Sequence, residues 1–506
     1  MPDLDMVMAG LGDALGPVTL LFVVAGVVTG QFVGAVPGIG PVMAMAIAIP
    51  FTFVLDPLPA IAFLVGVNKG GLVGGAVPAV LINTPGTPDA AATAFDGHPL
   101  ARSGKPLKAT KMALYASTTG DTFSDIVLIT VSAPIAAVAL FMGPVEILAL
   151  MIFAFSVIAG LIGDSLWKGV IALALGLLCA TVGLDPQHAT PRLLFGWYEL
   201  YDGLPLAPVA IGMLAVAEIL RRLAAVKGRP KPAIRIPESQ DPADRRVSLA
   251  EYWACRFTLA RGALIGTFLG ALPGIGSTAA AFMSYASARH ASRDPESFGK
   301  GSLHGIAAAE SANSSVVGAN MIPLLTLGIP GSVSAALIIS AFMIHGIQPG
   351  PLLFEQQGRL IYSLFGAMIM ANFVNLLAGQ LGLRFWTRVV AAPESVIFSA
   401  ALLLCIAGVS LSSGGLFGVA VMLMFAGVGY LMTAFGFSVV IFIIAFFLGP
   451  RFETSLSQSL VLLDGDPLAL TGHPVALVLL GLAAVTVWHL GMRRPVKAAR
   501  HGAGPG

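Results

Sequence analysis

Thr84-Pro85-Gly86-Thr87-Pro88 and Gly328-Ile329-Pro330-Gly331-Ser332 each interrupt a run of apolar residues, as do Pro37-Gly38-Ile39-Gly40-Pro41 and Pro273-Gly274-Ile275-Gly276-Ser277. Proline removes a backbone donor, and glycine permits conformations that other residues avoid. A helix that restarts after such a break presents free N–H groups and the positive end of its dipole, which together form an anion site. Pro41 suits the first position of a new helix, and Ser277 and Ser332 suit its cap. The candidate substrate-binding positions are therefore Pro37, Gly38, Gly40, Thr84, Pro85, Gly86, Thr87, Pro273, Gly274, Gly276, Ser277, Gly328, Pro330, Gly331 and Ser332. Thr84, Thr87, Ser277 and Ser332 add hydroxyl donors. The competing reading is that these glycines and prolines serve only close packing or kinks, as is common in transmembrane helices.

Polar side chains inside the apolar runs are the second clue, because burying them costs free energy unless they are paired or functional. Asn68, Lys69, Asp89, Glu310 and Asn313 are the candidates for ion coupling. Glu310 and Asn313, three residues apart, share one helix face. A carboxylate, amides and unwound carbonyls suit Na⁺ coordination or a proton relay. A Lys69–Glu310 ion pair is the plainer alternative. Asp121, Asp125, Glu146, Asp164 and Glu218 also fall in or beside apolar stretches, without a pattern that assigns them to interfaces or to a cavity.

The elements that must position these residues follow from composition. Of 506 residues, 56% are hydrophobic and 11% charged, with a mean hydropathy of +0.87. Soluble domains carry about 25% charged residues. The chain reads as an all-α polytopic membrane protein, with roughly a dozen spans of about 20 residues each, some of them short, broken or re-entrant. The stretch before the first apolar run contains no Lys or Arg, so that run is expected to be a retained span and not a cleaved signal peptide. A net charge of +2 argues against a nucleic-acid partner. The cysteines Cys179, Cys255 and Cys405 have no metal-ligand spacing, and no nucleotide-binding loop or nucleophile–base set is present. An enzyme is not expected.

Internal repetition organises the chain. "GAVPGIGPVMA" at 34–44 matches "GALPGIGSTAA" at 270–280, an offset of 236. "NKGGLVGGAVPAVLINTPGT" at 68–87 aligns without gaps on "NSSVVGANMIPLLTLGIPGS" at 313–332, an offset of 245. The expected organisation is an N-terminal segment 1–16, a first repeat 17–222, a basic cytoplasmic linker 223–252, a second repeat 253–450, and an extra span with a basic tail, 451–506. The linker holds Lys227, Arg229, Lys231, Arg235, Arg245 and Arg246, and the tail holds Arg493, Arg494, Lys497 and Arg500. Arg102, Lys105, Lys108 and Lys111 follow the first Pro-Gly hairpin, whereas the equivalent loop near 345–358 has no Lys or Arg. The 56–59 turn is likewise uncharged, but its counterpart carries Arg289, Arg293 and Lys300. Opposite bias in equivalent loops predicts an inverted-topology repeat. Asp89 aligns with Ser334, so any role it has in coupling is asymmetric.

At "GAVPGIGP", "LINTPGTPDAAATAFDGHPLARSGK", "GALPGIGS" and "AAAESANSSVVGANMIPLLTLGIPGS" the sequence resembles the large membrane subunit of the tripartite tricarboxylate transporters, across about 15–490. That resemblance implies a secondary transporter of a bacterial inner membrane with two partners, a small four-span membrane subunit and a periplasmic solute-binding protein. It implies uptake of a tri- or dicarboxylate or related organic anion, coupled to Na⁺ or H⁺, with no cofactor. An anion channel or a non-transporting assembly subunit is the alternative. The Asn68-Lys69 and "ESANSS" stretches depart from the commoner family pattern and leave the carboxylate open. Lys69 is expected to add positive charge for an anion.

Overall fold

The computed structural model describes residues 4–36, 40–162, 165–186, 188–225, 239, 241–389, 394–464 and 466–491. Pro37, Gly38 and Asp164 lie outside the described residues, as do Lys227, Arg229, Lys231, Arg235, Arg493, Arg494, Lys497 and Arg500.

Proline, glycine or alanine opens about half of the α-helices. The first stretch holds α1 Leu4–Ala14, α2 Pro17–Gly34, α3 Pro41–Thr52, α4 Pro57–Ile82, α5 Ala90–Arg102 and α6 Pro106–Ala139. Next come α7 Pro144–Ile162, α8 Leu166–Ala180, α9 Leu206–Ile211 and α10 Ala217–Ala225, the last two joined by a π-turn. After the linker follow α11 Leu249–Ala254, α12 Arg256–Gly270, α13 Gly276–His290, α14 Leu303–Leu327, α15 Val333–Ile344 and α16 Leu353–Gln356. The chain ends with α17 Gly358–Val389, α18 Glu394–Ser412, α19 Leu416–Ala434, α20 Val439–Leu462 and α21 Pro474–Gly491. One detail departs from an all-α chain. Gly183–Leu184 and Pro191–Arg192 pair as a two-residue antiparallel ladder, entered through Gly183 at a φ of 116°.

Among the described residues, six helices are long and apolar enough to cross a membrane: α2, α4, α6, α17, α19 and α20. Shorter apolar helices, α3 and α15 among them, stand beside these. The chain is a multi-pass membrane protein. It packs as two compact units, one formed by the described parts of Met1–Met142 and Val182–Leu431, the other by those of Gly143–Thr181 and Met432–Gly506. In the second unit α7 and α8 pack on α20, and α21 packs on α7. Glu146 accepts from the Gly143 N–H at 2.9 Å and meets His473 Nδ1 at 2.6 Å, which ties the start of α7 to the turn before α21.

The first unit carries all the described candidate site residues, and glycine decides how its helices meet. A Cβ at Gly26, Gly30 or Gly34 would fall 2.3 Å from the carbonyl oxygens of Phe63, Val67 and Gly71. α2 therefore lies backbone-to-backbone on α4, through small residues four apart, as close transmembrane helix pairs do. The same contact recurs between α12 and α14. There Gly262 meets the Ala308 carbonyl, Gly266 the Ala312 carbonyl and Gly270 the backbone of Val316. In the alignment of the two halves these are corresponding residues.

Candidate functional site

The breaks after α4 and α14 are each built from a helix C-terminus, a short return and a new helix start. α4 ends at Asn83 and α14 at Gly328, both left-handed, with φ of 52° and 67°. Asn and Gly are the residues that tolerate this C-cap conformation. The chain then turns back along its own helix. The Gly86 N–H donates to the Gly75 carbonyl at 3.2 Å, and a Cβ at Gly86 would lie 2.5 Å from the Gly34 carbonyl oxygen. Gly331 sits against the Gly270 carbonyl in the same way, and its own carbonyl accepts from the Gly274 N–H at 2.9 Å. In the second half both breaks are thus bonded to each other through backbone.

The helix starts differ from the sequence expectation in detail. α15 is capped by Ser332, whose hydroxyl accepts from Ala335 N at 3.2 Å and from Asn320 Nδ2 at 3.0 Å. α3 begins after Gly40, with Pro41 in its first turn. Thr84 does not face a new helix. Its hydroxyl bonds back to the Ile82 carbonyl at 3.3 Å and closes the end of α4. Thr87 supplies the hydroxyl that accepts from Ala90 N at 3.3 Å, while Asp89 occupies the N-cap position of α5 without using its side chain to cap. Ser277 lies inside the first turn of α13, which starts at Gly276 with a φ of 68°, and so is not its cap. Pro273 precedes Gly274 in the turn, and Pro85 and Pro330 lie in the returns.

Tertiary packing brings the polar candidates into two clusters. In the first, the start of α5 meets α13 and the middle of α14. Asp89 is 4% exposed, and its nearest polar side chains are Thr87, Asn313 and Ser277. Glu310, fully buried, accepts from Thr93 Oγ1 on α5 and from Ser117 Oγ on α6, the latter at 2.7 Å. Asp89 Oδ2, both amide atoms of Asn313, Asn320 Oδ1 and Ser314 Oγ are buried without a hydrogen-bond partner. Buried polar atoms in native proteins are almost always bonded, so a concentration of open ones asks for a ligand.

In the second cluster Lys69 is fully buried, with Nζ 2.7 Å from Asp125 Oδ2, 3.4 Å from Asp121 Oδ1 and 2.7 Å from Asn372 Oδ1. Asn372 Nδ2 returns to Asp125 Oδ2 at 2.8 Å. Asn375 Nδ2 donates to the Lys69 carbonyl at 3.3 Å, and Gln31 Nε2 donates to Asn375 Oδ1 at 2.6 Å. The Lys69–Glu310 ion pair is not made, and the Lys69 ammonium is committed to α6 instead of facing the breaks. The physical reason is proximity: two carboxylates four residues apart on α6 face α4 directly, so an ion in apolar surroundings takes them. Asn68 is buried in α4 beside this network.

Sequence reading missed the partners. Asp121 and Asp125 at an i, i+4 spacing inside an apolar helix were a readable signal. Thr93, Ser117, Asn372 and Gln31 were not, because only the fold makes them neighbours. Asp96 was also missed. It is fully buried, with Oδ1 accepting from the N–H groups of Gly299, Gly301 and Ser302 at 2.7–2.9 Å and Oδ2 accepting from the Tyr285 hydroxyl at 2.8 Å. One carboxylate on α5 thereby caps the start of α14. His98 Nδ1, one turn along α4's neighbour, meets the Val80 carbonyl at 3.1 Å and is structural.

On the side where α6 begins, Lys105 pairs with Asp244 at 2.9 Å and Lys108 pairs with Glu251. The Asp244 carboxylate holds the Lys105 ammonium above its usual range, and Lys105 holds Asp244 below the usual carboxylate range. The basic loop and the linker therefore neutralise each other locally.

Broken apolar helices around a buried, incompletely bonded polar cluster mark a polytopic membrane protein. The family model for the tripartite tricarboxylate transporter TctA family matches residues 20–444. The chain belongs to that family and is a membrane subunit of the tripartite tricarboxylate transporter type, which is a transporter and not an enzyme family. Membership implies partner subunits, a binding protein and a small membrane subunit. The chain is 32% identical over 490 residues, 94% of each chain, to an uncharacterized 52.8 kDa protein in the TAR-I ttuC' 3' region of Agrobacterium vitis. It is also 32% identical over 222 residues to an uncharacterized protein in the TAR-II ttuC' 3' region of the same organism, covering 44% of this chain and 92% of that one. No solved structure matches.

Proposed function

We propose that this chain is the translocating subunit of a cation-coupled secondary transporter in a bacterial inner membrane. It imports a tri- or dicarboxylate, or a related organic anion, handed over by a periplasmic binding protein, with a small four-span subunit beside it. The observation that carries this reading is the set of buried, unpartnered polar atoms where α5, α13 and α14 meet, at Asp89 Oδ2 and the Asn313 amide. The helix starts at Ala90, Gly276, Val333 and Pro41 offer N–H groups to the anion, with Thr87, Ser277 and Ser332 adding hydroxyls. Asp89, Glu310 and Asn313 offer oxygens to the coupling cation, Na⁺ or H⁺, while Asn68 lines α4 at the position equivalent to Asn313.

We read the two halves, 17–222 and 253–450, as inverted repeats of a dozen or so spans. Their contacts support this. α4 and α5 run in the same direction, since Gly75 meets Gly86 and Val80 meets His98. α5 and α14 run oppositely, since Thr93 meets Glu310 and Asp96 meets Ser302. The equivalent helices α4 and α14 are therefore antiparallel, as alternating access between inverted repeats requires.

The test is uptake of labelled citrate and succinate by proteoliposomes holding this chain with its two partners, under imposed Na⁺ or proton gradients. Wild-type protein should accumulate solute against its gradient, and Glu310→Gln should lower accumulation while leaving the protein monodisperse. Dissipative flux without accumulation would indicate a channel and sink the proposal. Gly86→Val and Gly331→Val are poor probes here. Their added atoms would meet the Gly34 carbonyl at 2.5 Å and Asn320 Oδ1 at 2.4 Å, so they disturb packing whatever the function.

A further inference from the structure

We propose that the Lys69–Asp121–Asp125 cluster binds one exchangeable proton, shared by the two aspartates, and that this proton is a coupling ion in its own right, separate from the cation at Asp89, Glu310 and Asn313. The inference rests on the transport reading above but concerns a different set of residues. Its basis is a charge count. Two carboxylates and one ammonium, all at 0% exposure, leave one negative charge inside apolar helices. An uncompensated buried charge of this kind neutralises itself by taking a cation or a proton.

A second observation, independent of that count, locates where the proton goes. Asp121 Oδ2 and Asp125 Oδ1, the two oxygens turned away from Lys69, have no hydrogen-bond partner. Room is kept for them. A Cβ at Gly318 of α14 would fall 2.6 Å from both Asp125 Oδ1 and Ser124 Oγ, so glycine there keeps the free oxygen uncrowded. A proton on either oxygen forms an O–H bond and brings the cluster to zero net charge.

A metal cation fits worse. Lys69 Nζ already takes Asp125 Oδ2, Asp121 Oδ1 and Asn372 Oδ1, and its charge repels a second cation, whereas hard cations need about six oxygens. The charged groups acting on Asp121 are Lys69 and Asp125 themselves. From α17 the cluster is faced by the amide of Asn372 and from α14 by Gly318. Glu310 of α14 is held at Ser117, one turn before Asp121. On α5, Asp96 is engaged with Gly299–Ser302, and Asp89 lies beside Thr87, Asn313 and Ser277.

Because Asp125 faces α14, the helix that also carries Glu310, protonation changes the charge against one of the helices that line the breaks. Coupling then acts through α14: the neutral cluster lets it move against α6, and the charged cluster resists that movement.

The probe is the proton itself. Infrared difference spectra between acid and alkaline pH, taken on the full chain in lipid nanodiscs, should contain the carbonyl stretch of a buried carboxylic acid. That band should persist in Glu310→Gln and vanish in Asp121→Asn and Asp125→Asn. Asn372→Ala, which removes the amide donor to Asp125 Oδ2, should keep the band but move its midpoint, which provides a readout should either aspartate variant fail to fold. In the three-component proteoliposomes, Asp121→Asn should lose citrate accumulation driven by a proton gradient while retaining citrate–citrate exchange. Absence of a titrating band that depends on Asp121, Asp125 or Asn372 overturns the proposal and leaves the transport reading intact. So does accumulation driven by Na⁺ alone and indifferent to the proton gradient. If wild type accumulates neither citrate nor succinate under any gradient, while the band is present, the transport reading has failed and the coupling role falls with it.

Discussion

Two buried polar clusters stand in the same helical unit and differ in how their atoms are bonded. Around Lys69 most donors and acceptors are matched, through Asp121, Asp125, Asn372, Asn375 and Gln31. Around Asp89, Glu310 and Asn313 there is no basic side chain among the described contacts, and several polar atoms have no partner. The first cluster can hold four helices together and still exchange a proton. The second is left open at Asp89 Oδ2 and at the Asn313 amide. Depth of burial alone therefore does not distinguish a structural polar cluster from a site. The balance of charge and of hydrogen bonds does.

The largest expected effect breaks the first cluster. Lys69→Met removes the only cation among the described residues that faces two buried carboxylates, and breaking a buried pair in this way costs about 3–5 kcal/mol. Thermal unfolding in detergent should drop sharply, and Lys69→Met combined with Asp121→Asn and Asp125→Asn should recover most of the loss. If the triple variant is no more stable than Lys69→Met, charge is not what the network balances.

A smaller effect is expected at Asp96, which sharpens the comparison because it is a buried carboxylate fully satisfied by N–H and O–H donors. Asp96→Ala orphans those N–H groups, at about 1–3 kcal/mol for a buried unsatisfied group. Trypsin should then cut faster at Arg293 and Lys300, the basic residues beside the loop that Asp96 holds. An unchanged cleavage rate would remove its role as a clamp.

The smallest effect lies outside the membrane. Lys105–Asp244 is solvent-exposed and salt-screened. Since Asp244 is held below the ordinary carboxylate range, the pair's contribution is present above about pH 4, where the unfolded carboxyl titrates, and is lost as pH falls through the folded value. Asp244→Asn should shift the unfolding temperature slightly at low salt and not at high salt. A large, salt-insensitive shift would mean that the linker does more than neutralise a basic loop.

Much of the architecture was legible because its causes are local. The apolar runs, the Pro-Gly breaks and the repeated order of Asn68 with Asn313 and Gly86 with Gly331 can be read directly from residue types. The glycine stripes Gly26-Gly30-Gly34 and Gly262-Gly266-Gly270 were equally legible, and went unread because the breaks drew attention from the helices before them. What could not be read was pairing. Lys69 could have met Glu310 on sequence grounds. Nothing local says that α6 lies between them, offering Asp121 and Asp125 to one and Ser117 to the other. Likewise Thr84 and Thr87 look interchangeable in the chain, but one closes α4 and the other caps α5.

The sequence by itself determined that this is a membrane protein, that helices must break at four repeated places, and that a few polar residues lie at membrane depth. Those properties follow from hydropathy and from the backbone chemistry of proline and glycine, which act within a few residues. Only the tertiary structure decided which polar groups are satisfied and which are left open. Hydrogen bonds and ion pairs in an apolar interior are settled by which helices touch, and the glycine-lined contacts of α2 with α4 and of α12 with α14 help to set that arrangement.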